Sequence, residues 1–148
     1  MIELLLVIVL VCITLGIVMP SFVRSIRENR LHTAARTLVT VARYARSMTI
    51  LKQTDLSIKF NMDTGQIDLV STNTAVPRFT RVVKGVSLAY VDIEGLDTPC
   101  TEGTCTVPYS CNGICKPFSV KIMDPFGNYA IVKIDALSSA RTIEFGGR

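Results

Sequence analysis

The chain has 148 residues, 49% of them hydrophobic, and a formal net charge of +4. That length describes one modest domain plus an appendage and excludes two full domains. The charge is uneven: residues 1–52 carry seven basic side chains against Glu3 and Glu28, whereas residues 53–148 carry nine basic against ten acidic. The basic character therefore belongs to one N-terminal segment, and the remainder is near neutral.

The chain opens MIELLLVIVLVCITLGIVMP, where residues 4–19 hold nothing charged and Glu3 stands at their edge. A secretory signal would bring a basic n-region and a small-x-small cleavage site, and this stretch shows neither. A buried core helix would show a polar face, which is also missing. A membrane-spanning helix needs about 20 apolar residues. Residues 4–23 supply that length if Pro20 is absorbed as a bend, which membrane helices tolerate. The span is the favoured reading, with Cys12 as a small apolar filler.

Helical character continues beyond Pro20. Leu31, Ala34, Ala35, Leu38, Val41, Ala42, Ala45, Met48 and Thr49 recur at three- and four-residue spacing, and most arginines fall off that stripe. No Pro or Gly interrupts residues 21–52. The pattern predicts one helix from about residue 2 to about residue 51, on the order of 75 Å long. Its first part, residues 1–23, is apolar all round; its second, residues 24–52, is amphipathic and basic. A basic helix face is more often solvated, or set against lipid headgroups, than a nucleic-acid site. His32, the single histidine, reads as a surface residue.

Residues 53–148 read as β-rich. DLSIKF alternates with Leu56, Ile58 and Phe60 on one face, NMDTG is a turn with Gly65 at the position that takes a positive φ, and QIDLV returns. RFTRVVKGVSLAYVD predicts further strand, broken near Gly85, with Val86, Leu88 and Tyr90 alternating. PFSVKIM, the turn DPFGN and YAIVKID form a second hairpin, with Asp124 as a turn former, and RTIEF closes the chain.

Four cysteines crowd into residues 100–115, CTEGTCTVPYSCNGIC, separated by four, five and three residues. The paired Cys-x-x-Cys units of a zinc ribbon are absent, so disulfides are favoured over zinc. Four cysteines allow three pairings. Cys100–Cys115 with Cys105–Cys111 nested inside suits a small hairpin-like excursion, and cross-links would limit the unfolded entropy of a loop that buries little. No Ser-His-Asp set, phosphate-binding Gly-rich loop or metal-spaced carboxylates appear. No enzyme activity and no cofactor are predicted.

Several stretches together resemble one family. MIELLLVIVLVCITLGIVMPSFVRS resembles the N-terminal segment of type IV pilins and of the pseudopilins of type II secretion; Ile2, Glu3, Leu4, Leu5 and Pro20 match its pattern in type and spacing. AARTLVTVARYARSMTILKQTDLSIKF is similar to the helix end and first strand of the GspH/FimT group of minor pilins and pseudopilins. DPFGNYAIVKI followed by ARTIEF resembles that group's closing strands. The resemblance implies an α+β fold, with a long N-terminal helix packed on an antiparallel β domain. It implies a subunit assembled into a pilus or pseudopilus from the inner membrane, single-pass, with residues 53–148 in the periplasm.

Glu3 and Pro20 are the assembly residues that the resemblance implies. A carboxylate at a membrane helix centre costs about 2.5–3.5 kcal/mol, less near an end. The resemblance gives Glu3 a partner, the N-terminal ammonium of a neighbouring subunit, and such a buried pair would specify axial register more than stability. The alternative is that Glu3 merely reaches the interface. Family precursors carry a basic leader ending in Gly, cut by a prepilin peptidase before a Phe that is then N-methylated, so Met1 is expected to stand inside a longer product. That leader would offset Arg24, Arg27 and Arg30, which by the positive-inside rule alone would place their side in the cytoplasm.

Other subunits, the peptidase and an inner-membrane platform are the implied partners. Related minor pilins that capture DNA do so through a basic C-terminal end, of which Arg141 and Arg148 are a thin version, making DNA contact secondary. Outside the family, the alternative is a single-span membrane protein carrying an extracytoplasmic cysteine-rich module, stapled by disulfides or binding zinc.

Overall fold

The structure, a computed structural model, describes the backbone of residues 2–71, 79–83, 85–137 and 140–147, and their side chains except those of 16–28 and 140–142. Helix α1 (Ile2–Lys52) is followed by strands β1 (Leu56–Asn61), β2 (Gln66–Ser71), β3 (Phe79–Val82), β4 (Ser87–Ile93), β5 (Thr104–Tyr109), β6 (Phe118–Met123), β7 (Tyr129–Ile134) and β8 (Ala140–Gly146). The strands form two antiparallel sheets, ordered β3-β2-β1-β5 and β4-β6-β7-β8. The expected α+β architecture is found, with its strands in two sheets. The chain divides into two units, Met1–Arg30 and Leu31–Arg148.

In the second unit the helical stripe is the organising surface. Leu31, Ala34, Ala35, Leu38, Val41, Ala42, Ala45 and Thr49 are all buried, with Ala35, Ala42 and Ala45 fully so, and Met48 packs against the same core. Small side chains, Ala34, Ala35, Ala42 and Ala45, make up much of the helix's share of the core. Thr49 is tolerated there because its hydroxyl donates to the Arg46 carbonyl at 2.7 Å. Off the stripe, Arg30, Arg36 and Arg43 are exposed. Arg46 instead reaches the second sheet's loops, where its Nη1 donates to the Leu137 carbonyl at 2.6 Å.

Aromatic contacts tie the layers together. Tyr44 meets Phe79 of β3 with ring centroids 4.9 Å apart, and His32 meets Phe145 of β8 at 4.1 Å. The helix thus touches the outermost strand of each sheet. Phe60 of β1 and Phe118 of β6, 6.0 Å apart, join the two sheets in the core. His32 is exposed but is not merely a surface residue, since its ring packs on Phe145. The helix ends where Gln53 takes a positive φ of 50°, a conformation usually left to Gly or Asn.

Both predicted hairpins form. Leu56, Ile58, Phe60, Ile67 and Leu69 point inward from β1 and β2. Asn61 Oδ1 accepts from the backbone N–H groups of Asp63 and Thr64 to shape the turn, and Gly65 completes it at φ 64°. In the β6–β7 turn, buried Asp124 accepts through Oδ1 from the N–H groups of Phe126 and Asn128 and through Oδ2 from Asn128 Nδ2. Asp124 is therefore the turn former that its position suggests.

The expected break near Gly85 is found, and it separates strands of different sheets, β3 and β4. Two readings need correction. The alternation Val86, Leu88, Tyr90 fails, because a register shift between Leu88 and Tyr90 turns Val91 and Ile93 inward instead. The cysteine segment is not simply a loop, since β5 runs through it as an edge strand beside β1. Cys105, Val107 and Tyr109 are buried while Thr104, Thr106 and Pro108 face out, and an edge position is one where Pro108 is accommodated.

The full burial of the small residues on the helix sets a test. Ala42→Leu inserts three carbons where Ala42 is fully buried, and is expected to lower stability by about 1–3 kcal/mol. Arg43→Gln, one residue away and exposed, should change it by less than about 0.5 kcal/mol. Denaturant unfolding of the detergent-solubilised chain, followed by tyrosine fluorescence, measures both.

Candidate functional site

Two features carry the functional argument: the start of α1 and the cysteine cluster. In the first unit, every described side chain from residue 2 to residue 15 is exposed, with Ile2 at 86% and Leu4 at 67%. A helix apolar on all sides belongs in a membrane or among other helices. The one hydroxyl among these residues with donors to satisfy, Thr14, hydrogen-bonds back to the carbonyls of Leu10 and Val11. It therefore adds little polarity to the surface.

Glu3 lies in the first turn of α1 and is exposed. The first turn of a helix, where backbone N–H groups lack intrahelical partners, is a position that favours an anion. Pro20 falls within α1, its side chain outside the description. Among the described residues no helix is long and apolar enough to cross a membrane. The expected span, residues 4–23, runs into positions 16–23, whose side chains also lie outside the description.

The cysteines occupy four different settings, all as free thiols. Cys100 exchanges backbone hydrogen bonds with Val91 of β4, donating at 2.8 Å and accepting at 2.9 Å. Cys105 lies in β5 opposite Phe60 and is buried. Cys111 is exposed in the turn after β5, its N–H donating to Asp55 Oδ1 at 2.7 Å. Cys115 is buried opposite Tyr109, its thiol directed at the carbonyls of Asp135 and Ala136, 3.7 and 3.6 Å away. Burial pushes the Cys105 thiol up to about 12, and the hydrogen bond and charge of the neighbouring Cys100 sulfur push the same way. The sulfur that perturbs Cys105 is that of Cys100. Among the described residues no three His, Cys, Asp or Glu side chains converge to hold a metal ion.

The remaining candidates are less informative. Arg141 lies in β8 with its side chain outside the description, and Arg148 is outside the described residues altogether. A depression of about 250 Å3 at the ends of β4, β6 and β7 is lined by Asp92, Glu94, Phe118, Lys133 and Asp135, with no convergent catalytic pair. Sequence reasoning missed the pairing of Cys100 with Val91 and the strand character of β5. The alternation T-C-T-V-P-Y was the signal for the latter.

The thiol settings give distinct reactivities. In the reduced, folded chain at pH 8, iodoacetamide is expected to label Cys111 well before Cys105, whose thiolate fraction is on the order of one in 10^4 when the thiol is held near 12. Labelling of Cys105 should climb only as pH approaches 12. Because the folded state keeps this proton longer than the unfolded chain, whose thiol titrates near 9.0, the same group should reduce stability between those two pH values. Mass spectrometry of timed alkylations reads the order directly.

No sequence-family profile matches the chain, and no curated protein matches it. Solved structures do. The minor pseudopilin EpsH of the type II secretion system of Vibrio cholerae matches with a TM-score of 0.53 at 13% identity, covering 80% of this chain and 97% of that one. A second structure of the same Vibrio cholerae pseudopilin gives a TM-score of 0.56 at 11% identity, covering 80% and 94%. The type IV minor pilin FimU of Pseudomonas aeruginosa gives 0.54 at 15% identity, covering 81% and 90%. The chain therefore has the pilin-like fold of the minor pseudopilins and type IV minor pilins.

Proposed function

We propose that this chain is a minor pilin or pseudopilin, a structural subunit that is built into a type IV pilus or a type II secretion pseudopilus. The observation that carries the reading is the contrast along α1. Residues 2–15 expose an unbroken apolar surface around one carboxylate, while the stripe from Leu31 to Thr49 is committed to the core of a pilin-like domain.

In this reading residues 1–23 hold the subunit in the inner membrane as a single span and later pack among the helices of other pilin or pseudopilin subunits. Residues 24–52 bridge to a periplasmic domain of residues 53–148. Among apolar helices the low dielectric makes Glu3 costly without a partner and strongly oriented with one. The N-terminal ammonium of a neighbouring subunit supplies that partner and fixes the axial register. Pro20 removes one backbone hydrogen bond within the packed segment. A prepilin peptidase and an inner-membrane platform follow as partners in this reading. The subunit does its work by contact and display, without catalysis.

Glu3→Ala tests it. In the native cell the variant is expected to stay in the membrane fraction while its content in sheared or filament fractions falls at least tenfold. Equal incorporation of the variant and the wild type would sink the proposed role of Glu3.

A further inference from the structure

The crossing between β4 and β5 is one of the places where the chain passes from one sheet to the other. β4 is an edge of its sheet, and β5 is an edge of the other. Cys100 extends the β4 edge through its two backbone hydrogen bonds with Val91, so its backbone belongs to the second sheet. Cys105 belongs to β5 and so to the first sheet, with its side chain turned inward. Only four residues, TEGT, separate them, and they bend back through Gly103 at φ 71°. That reversal returns the chain so that Cys100, anchored in one sheet, packs against the core in which Cys105 of the other sheet is buried.

We propose that Cys100 and Cys105 are a disulfide-forming pair that staples the two sheets together at this crossing. The other two cysteines do not compete on geometry. The Cys115 thiol faces the Asp135 and Ala136 carbonyls, and Cys111 is exposed in the turn after β5, its backbone N–H donating to Asp55.

The reaction requires a disulfide oxidant, either a small-molecule disulfide or a disulfide-carrying oxidoreductase. Cys100, half-exposed, is the sulfur that such an oxidant can reach. Its Sγ attacks one sulfur of the oxidant, the oxidant's S–S bond breaks, and a mixed disulfide forms. Cys105 Sγ then attacks Cys100 Sγ, displacing the oxidant's first sulfur. The two protein thiols lose two electrons and two protons, and the oxidant's disulfide gains both to become two thiols. Burial holds the Cys105 thiol protonated, which makes its attack the slower step, and the same burial shields its sulfur in the finished bond from exchange.

This inference concerns the chain's own thiols and is independent of the assembly reading, so purified protein tests it. The full chain in detergent is reduced, freed of reductant, exposed to oxidised glutathione, alkylated and denatured. Glutamyl endopeptidase cuts after Glu102, and chymotrypsin cuts after Tyr109 and Phe118, which places Cys100, Cys105 and the pair Cys111 and Cys115 on three separate fragments. Mass spectrometry is expected to find the fragment ending at Glu102 joined to fragment 103–109, lighter by two hydrogens and separable only by reductant. Linkage of either fragment to 110–118 would overturn the pairing. So would Cys100 and Cys105 both emerging alkylated or carrying glutathione after the oxidant has modified Cys111.

Discussion

Everything in the second unit depends on one helical face being buried in the same core as two sheets. The stripe from Leu31 to Thr49 places Ala35, Ala42 and Ala45 at full burial. A larger side chain at any of them would push the helix away from strands whose own large residues, Leu56, Ile58, Phe60, Val120, Ile122 and Val132, fill the space beneath. Interiors packed to this density respond to single methylene groups. The helix in turn touches the outermost strand of each sheet, through Tyr44 on Phe79 and His32 on Phe145, and so holds both sheets to one core.

Much of this is legible in the sequence because it is periodic. The stripe repeats every three or four residues, and each hairpin alternates about a turn whose residues announce it: Asn61 and Gly65 in one, Asp124 and Gly127 in the other. Legibility fails where a local signal has two readings. The segment from residue 79 to 93 looks like one strand with a glycine interruption, but the interruption is the place where the chain changes sheet. The stretch TCTVPY alternates as plainly as DLSIKF does, yet its cysteines, its proline and the polar residues around it suggest a stapled loop. An edge position reconciles them, since it needs ladder bonds on one side only.

The functional features divide the same way. Glu3 is conspicuous in sequence because a carboxylate beside an apolar run is costly unless something receives it. The Cys100–Cys105 contact is not readable from spacing, because it arises from Cys100 pairing with Val91, a residue reached only through the fold. The contribution of the structure is a contrast. One portion of α1 is spent on the protein's own core, and residues 2–15 offer apolar surface that nothing in the second unit's core accounts for. Proteins of this fold in Vibrio cholerae and Pseudomonas aeruginosa are a minor pseudopilin and a minor pilin, and the proposed subunit role rests on this contrast.

The measurement that bears most directly on this account is photo-crosslinking from position 8, in the middle of the exposed apolar stretch, in cells of the native organism. A photoreactive residue in place of Ile8 is predicted to capture the N-terminal helices of other pilin-like subunits. Adducts with lipid alone, under conditions where filaments are assembled, would contradict it.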